Sequence, residues 1–335
     1  MALETSRALL DLGISRPVFD CKWPETRRVV EELWASRPHH LYDRPYDGLQ
    51  DDLGPRFLDA WRTWAAPVVT IPSALHYSYA TMGSTEAIRE TLALHAMQRG
   101  QSRSDGRKPT IHILDGEYEG YTAQFEGYGG AVVRHDRDAY AESMARAVRS
   151  GDRFYLSQPS AIDGNVWAGY DAFIAHVEQW HPQLRVYVDL SYVGAVGRDY
   201  AVRVDSPAID AIFFSLSKPL GVYYHRVGGV FSREELPGLY GNRWFKTSFG
   251  LALGMTLCER FGVRGIAQRY LALQQQETAR IARECKIMLT PSDVVLLAHG
   301  AAGQAGMPDD IASLRRGKTV RLCLTPSLER AFARA

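Results

Sequence analysis

The segment from Ala211 to Gly229 reads AIFFSLSKPLGVYYHRVGG, an apolar run that delivers Ser215, Ser217, Lys218 and, eight residues on, Arg226. The run Ala211 to Phe214 has the pattern of a buried strand, and Pro219 and Gly221 punctuate the chain beyond it. A lysine at the mouth of such a strand is partly desolvated. That lowers its pKa and leaves the amine free to attack a carbonyl and form a Schiff base. Serine hydroxyls and the planar guanidinium of Arg226 match the oxygens of a phosphate. A lone lysine at a strand end can equally just reach solvent, so the neighbouring residues decide the reading.

These residues need elements to hold them. Thr110 to Leu114, Ala131 to Arg134, Arg153 to Leu156, Leu184 to Val188, Ala211 to Phe214 and Val227 to Phe231 are short apolar runs that predict strands. Segments 139–148 and 171–180 between them carry helical spacing, so the chain alternates strand and helix and predicts a largely parallel sheet. In such sheets functional groups collect at the carboxyl ends of strands. Several runs end in chemistry: Asp115-Gly-Glu-Tyr118, Ser157-Gln158-Pro159, Asp189-Leu-Ser-Tyr192, and Ser215 to Lys218. Upstream, Gly83-Ser84-Thr85-Glu86 opens a long helical pattern, and a helix start bearing hydroxyls can hold an anion or serve as an ordinary capping box. Two further helices are expected at Thr26 to Ser36 and Arg56 to Trp64, and another over Gln274 to Met288. His39 and His40 lack the ligand spacing of a metal site.

Composition narrows the class of partner. The 335 residues carry 39 basic and 38 acidic side chains, so no global field favours nucleic acid or an anionic membrane. A small molecule is the expected partner. The four cysteines, Cys21, Cys258, Cys285 and Cys323, form no C-x-x-C pair, which argues against zinc and disulfides and fits a reducing compartment. Without a signal-like start or an apolar run long enough to cross a bilayer, the expected location is cytoplasmic.

Taken together, a lysine for an imine, hydroxyls and Arg226 for a phosphate, an aromatic at Tyr118 and a carboxylate at Asp189 are what pyridoxal 5'-phosphate asks of a protein. Tyr192 adds a phenol that could donate to the cofactor's 3'-oxygen. From about Gly54 to Arg321 the sequence resembles the fold-type I pyridoxal-phosphate enzymes of the class I/II aminotransferase group. Ser215-x-Ser217-Lys218 with Arg226 is similar to that family's Schiff-base and phosphate motif, and Asp189-x-x-Tyr192 to its ring-nitrogen and 3'-oxygen pair. Gly83, Ser84 and Thr85 resemble its phosphate-binding helix start. Tyr118 stands where the family stacks an aromatic on the ring, and Val320-Arg321-Leu-Cys-Leu resembles the strand whose arginine grips the substrate carboxylate.

The resemblance implies a three-layer α/β/α large domain with a mostly parallel sheet and an abbreviated small α+β domain. The expected division is 1–53 as N-terminal helix and arm, 54–250 as the cofactor domain, and 251–335 as a long helix and small C-terminal domain. It also implies an amino-acid substrate, Lys218 as general base at Cα, and a homodimer with shared sites, to which Tyr46 and the segment Gly238 to Ser248 are candidate contributors. The chain departs from the family in two places: it is shorter after Gly250, which leaves room for only an abbreviated substrate lid, and it differs at the turn after Ser157. By alignment Ala161 replaces the asparagine that bonds the 3'-oxygen, so a non-transaminating lyase, γ-substitution enzyme or cyclase stands beside the aminotransferase-like reading. A non-catalytic cofactor-binding module is the third alternative.

Overall fold

The computed structural model describes residues 6–36, 50–101, 107–243 and 247–334. His39, His40 and Tyr46 lie outside them, as does part of the segment Gly238 to Ser248. The large sheet has seven strands: β1 (Tyr77–Thr81), β2 (Thr110–Leu114), β3 (Ala131–His135), β4 (Arg153–Ser157), β5 (Arg185–Asp189), β6 (Ile209–Ser215) and β7 (Gly228–Ser232). Their spatial order is β1-β7-β6-β5-β4-β2-β3. Only β7 runs against its neighbours β1 and β6, so six strands point the same way.

Every residue of β2, β4, β6 and β7 is buried, which is why these strands read as continuous apolar runs: both faces of the sheet are covered. Alternate residues feed two separate cores. Tyr79, Ile111, Ile113, Tyr155, Tyr187 and Phe213 pack with Ile88 and Leu92 of helix Ser84–Gln101 and Phe125 of helix Glu119–Gly127. Phe154, Val186, Val188, Ile212, Phe214 and Phe231 face the other way, toward helices Gln50–Ala65, Tyr170–Trp180 and Ser248–Arg260. There Trp61 stacks on Phe214 with centroids 3.9 Å apart. The result is the expected three-layer α/β/α arrangement.

A second, antiparallel sheet of four short strands has the order β10-β11-β9-β8, from β8 (Thr290–Pro291), β9 (Leu297–Ala301), β10 (Arg315–Arg316) and β11 (Thr319–Cys323). Helix Gly265–Cys285 ties it down. The Gln274 side chain donates to the carbonyls of Ser292, Val294 and Leu297 at 2.8, 3.0 and 2.8 Å. This helix begins earlier than the expected Gln274, and Lys286 closes it in the left-handed region at φ 53°. The helix expected from Arg56 starts at Gln50. The division placed at 250/251 falls inside helix Ser248–Arg260. No described helix is long and apolar enough to cross a membrane.

Candidate active site

A cavity of about 370 Å³ opens at the carboxyl ends of the parallel strands, within the range of small-molecule sites. Gly83, Ser84, Thr85, Tyr118, Asp189, Tyr192, Ser215, Ser217, Lys218, Arg226 and Arg321, all singled out from sequence, line it together.

The strand ends explain the convergence. β6 ends at Ser215, and the chain turns at once into the short helix Ser217–Leu220 that carries Lys218. Gly221, at φ 66°, then lets the chain pass against another segment: a Cβ there would lie 2.1 Å from the carbonyl oxygen of Cys21. That neighbouring segment lines the cavity with Pro17, Val18 and Phe19, and the Lys218 Nζ donates to the Val18 carbonyl. Asp20 beside it accepts from the Tyr223 backbone N–H at 3.1 Å. Burial pushes the Lys218 ammonium down to about 8, so a fraction of the amine is uncharged and nucleophilic near neutral pH.

Beside the lysine lies an oxyanion cradle. Arg226 is held in the left-handed region at φ 52°, a conformation that a non-glycine residue keeps only where its surroundings impose it. Its Nη2 donates to the Met82 carbonyl at 2.7 Å, and its guanidinium lies 4.9 Å from the Tyr223 ring centroid. Ser215 and Ser217 place their hydroxyl oxygens 3.0 Å apart. Antiparallel β7 brings Arg226 back against the start of helix Ser84–Gln101, because Gly228 pairs with Thr81. Gly83 has φ +76°, and a Cβ on it would stand 3.2 Å from Arg226 Nη2 and 3.5 Å from Ser215 Oγ. The bare glycine therefore keeps open the space between guanidinium, hydroxyls and helix N-terminus, a donor set suited to a phosphate.

Asp189 closes β5 with only 7% exposure. The Ser191 N–H and hydroxyl donate to its Oδ1 at 2.9 and 2.5 Å, and the Ser84 hydroxyl lies 2.8 Å from that of Ser191. Burial raises this carboxyl to about 6 in spite of those bonds. A cation placed against it would restore the ionised form. The Tyr192 phenol is pushed up to about 12 by burial, so it remains a donor at neutral pH.

Arg321, on β11, is 5% exposed. Its Nη1 donates to the Ala161 carbonyl, while its Nε has no hydrogen-bond partner among the described residues. A buried guanidinium with an unused donor is an arrangement that a carboxylate would complete. The loop that carries it is fitted to the large domain: Arg316 pairs with Glu119 at the cavity mouth, 2.5 Å away, and donates to the Glu117 carbonyl at 3.2 Å. The segment Pro17 to Phe19, Ser191, Glu117 and the Glu119–Arg316 pair were not among the residues expected from sequence. Glu117, Ser191 and Ser157 sit inside motifs recognised for their neighbours, whereas Pro17 to Phe19 is irregular backbone with no local signature.

The same architecture is found in solved aminotransferases. The chain superposes on an aminotransferase from Neisseria meningitidis with a TM-score of 0.69 at 15% identity, over 97% of this chain and 94% of that one. Histidinol-phosphate aminotransferase from Sinorhizobium meliloti, in complex with pyridoxal-5'-phosphate, gives 0.65 at 13% identity over 96% and 90%. An Escherichia coli protein with a methionine aminotransferase function gives 0.62 at 13% over 93% and 96%. No family model matches the sequence, and a search of curated proteins finds no match. At these identities the likeness establishes the fold, which is that of the fold-type I aminotransferases.

Proposed function

We propose that the chain is a pyridoxal-phosphate-dependent enzyme acting on an amino acid, with aminotransferase-like chemistry. The observation that carries this reading is the meeting, on one cavity, of a partly buried lysine, a buried carboxyl and a glycine-lined oxyanion cradle. These residues fit the cofactor. Ser84, Thr85, Ser215, Ser217 and Arg226 would hold its phosphate, Tyr118 would cover its ring, and Asp189 and Tyr192 would face its nitrogen and its 3'-oxygen. Lys218 would join its aldehyde. When bound, the cofactor supplies an electron sink for a carbanion at the substrate's Cα.

The rest falls to the chain itself. Arg321 takes the substrate carboxylate with its free donor and fixes the position of Cα. Lys218, uncharged once its proton is lost, removes the proton there at close range. Val18 is the group that Lys218 must release to do so. Tyr223 on the cavity lining, with Tyr224 beside it and Met82 next to Gly83, is exposed, and this apolar rim supports a homodimer in which a second copy covers the mouth.

Ala161 supports a second reading. It occupies the wall beside Ser157 and presents no side-chain donor, which favours a lyase, substitution or cyclisation outcome. The deciding experiment is an absorption spectrum of the purified protein, then single-turnover assays with a panel of amino acids. A visible band that is lost in Lys218→Ala supports the cofactor assignment; a band retained in that variant overturns it. One equivalent of keto acid per site, with turnover resuming only on addition of a keto-acid acceptor, supports transamination. Sustained ammonia release without an acceptor supports the lyase reading.

A further inference from the structure

Ser157 lines the cavity wall, and Glu117 lies buried behind it. Ser157 ends β4 in register with Asp189 at the end of β5, so the two side chains share one face, about 4.8 Å apart strand to strand. Ser157 Oγ accepts the Ala161 N–H at 2.6 Å. It also lies 2.8 and 3.0 Å from the two carboxyl oxygens of Glu117. Glu117 is 4% exposed, and its other carboxyl contacts are the backbone N–H groups of Ser157 at 3.0 Å and Tyr118 at 3.2 Å.

Counting hydrogens gives this pair two states. A hydroxyl has one hydrogen and two acceptor sites. With Glu117 ionised, the single hydrogen of Ser157 goes to the carboxylate and the cavity receives no donor. With Glu117 protonated, the acid hydrogen needs an acceptor, and Ser157 Oγ is the one contact that is not itself an N–H donor. Both acceptor sites on Oγ are then filled, by Ala161 N–H and by the acid, so the hydroxyl hydrogen turns outward to the cavity that Ser157 lines.

We propose that Ser157 is a switched hydrogen-bond donor for the edge of the cofactor that Ala161 leaves bare, and that Glu117 is the positioning residue that turns it on and off. The role rests on the pyridoxal-phosphate reading above. Burial holds the Glu117 carboxyl up at about 7, so both states are populated near neutrality. The charged and titratable groups around it are Asp189 from β5, its own neighbours Tyr118 and Glu119, Tyr121 from helix Glu119–Gly127, and Arg316 from β10. Arg316 reaches the Glu117 carbonyl and Glu119, not the Glu117 carboxyl.

Two measurements test it. Infrared difference spectra of cofactor-free protein should show a buried carboxylic-acid band that disappears as pH rises through neutrality in wild type and is missing in Glu117→Gln. In the cofactor-loaded protein, the visible band should carry a pH-dependent component that Glu117→Gln and Ser157→Ala each abolish. A wild-type band whose titration is unchanged in both variants overturns the role, as does a Glu117 that is ionised throughout. A wild-type protein with no visible band overturns the cofactor reading and this role with it, even where the infrared titration behaves as expected.

Discussion

At the scale of single residues, the site depends on buried groups whose charge is set by burial more than by partners. Among the described residues Asp189 touches hydroxyl and amide donors and no cation, so its ionisation depends on what enters the cavity. On the proposed function, Asp189→Asn should leave the cofactor bound while lowering turnover by orders of magnitude; turnover equal to wild type would overturn the ring-nitrogen role proposed for it. Glu117 makes a second prediction, on stability. Its carboxyl moves from 4.5 to about 7 on folding, so between these values the native state binds more protons than the unfolded state, and stability falls as pH rises. The change amounts to on the order of 3 kcal/mol. Denaturant unfolding of cofactor-free protein should show Glu117→Gln matching wild type near pH 5 and exceeding it at pH 8; equal loss in both would refute the assignment. Sequence motifs exposed Lys218, Asp189 and Arg226 because each stands next to a strand end marked by apolar residues. Glu117 escaped because a carboxylate in a turn reads as solvated until the fold buries it.

At the scale of elements, the hairpin joining β10 to β11 is seated on the turn after β2. Gly116, at φ +90°, faces the hairpin so closely that a Cβ would lie 2.7 Å from the Arg316 carbonyl carbon. Gly116→Ala should therefore both strain the turn and push Arg316 and Arg321 away from the cavity. The expected loss is about 1 kcal/mol or more of stability, with KM for carboxylate substrates raised more than kcat is lowered. A wild-type KM in a folded variant would show that the hairpin does not position Arg321. β2, β4 and β6 were legible because burial on both faces leaves continuous apolar runs, whereas the edge strand β3 was legible from its β-branched pair Val132-Val133 although little of it is buried. β1, written Tyr-Ser-Tyr-Ala-Thr, was not recognised as a strand because Ser78 and Thr81 break its apolar run. The end of helix Gly265–Cys285 was obscured because Lys286, not glycine, takes the left-handed position.

At the scale of the whole molecule, two copies are expected to associate across the exposed aromatic rim. Sedimentation should give a dimer, and replacing Tyr224, which is 78% exposed, with Glu should shift it toward monomer; a wild-type monomer at high concentration would refute the shared-site arrangement. The cavity takes its lining from Pro17 to Arg321, so no partly folded form that leaves out either end of this span owns a complete site. Any ligand of the cavity must then bind the native state to the exclusion of partly unfolded ones, and its binding energy is added to global stability: about 2.7 kcal/mol at a free concentration one hundred times Kd. The ligand thereby acts as a cooperativity clamp, converting local opening at the N-terminal segment or the second sheet into unfolding of the whole, and its absence should show first as faster amide exchange at those two distant places.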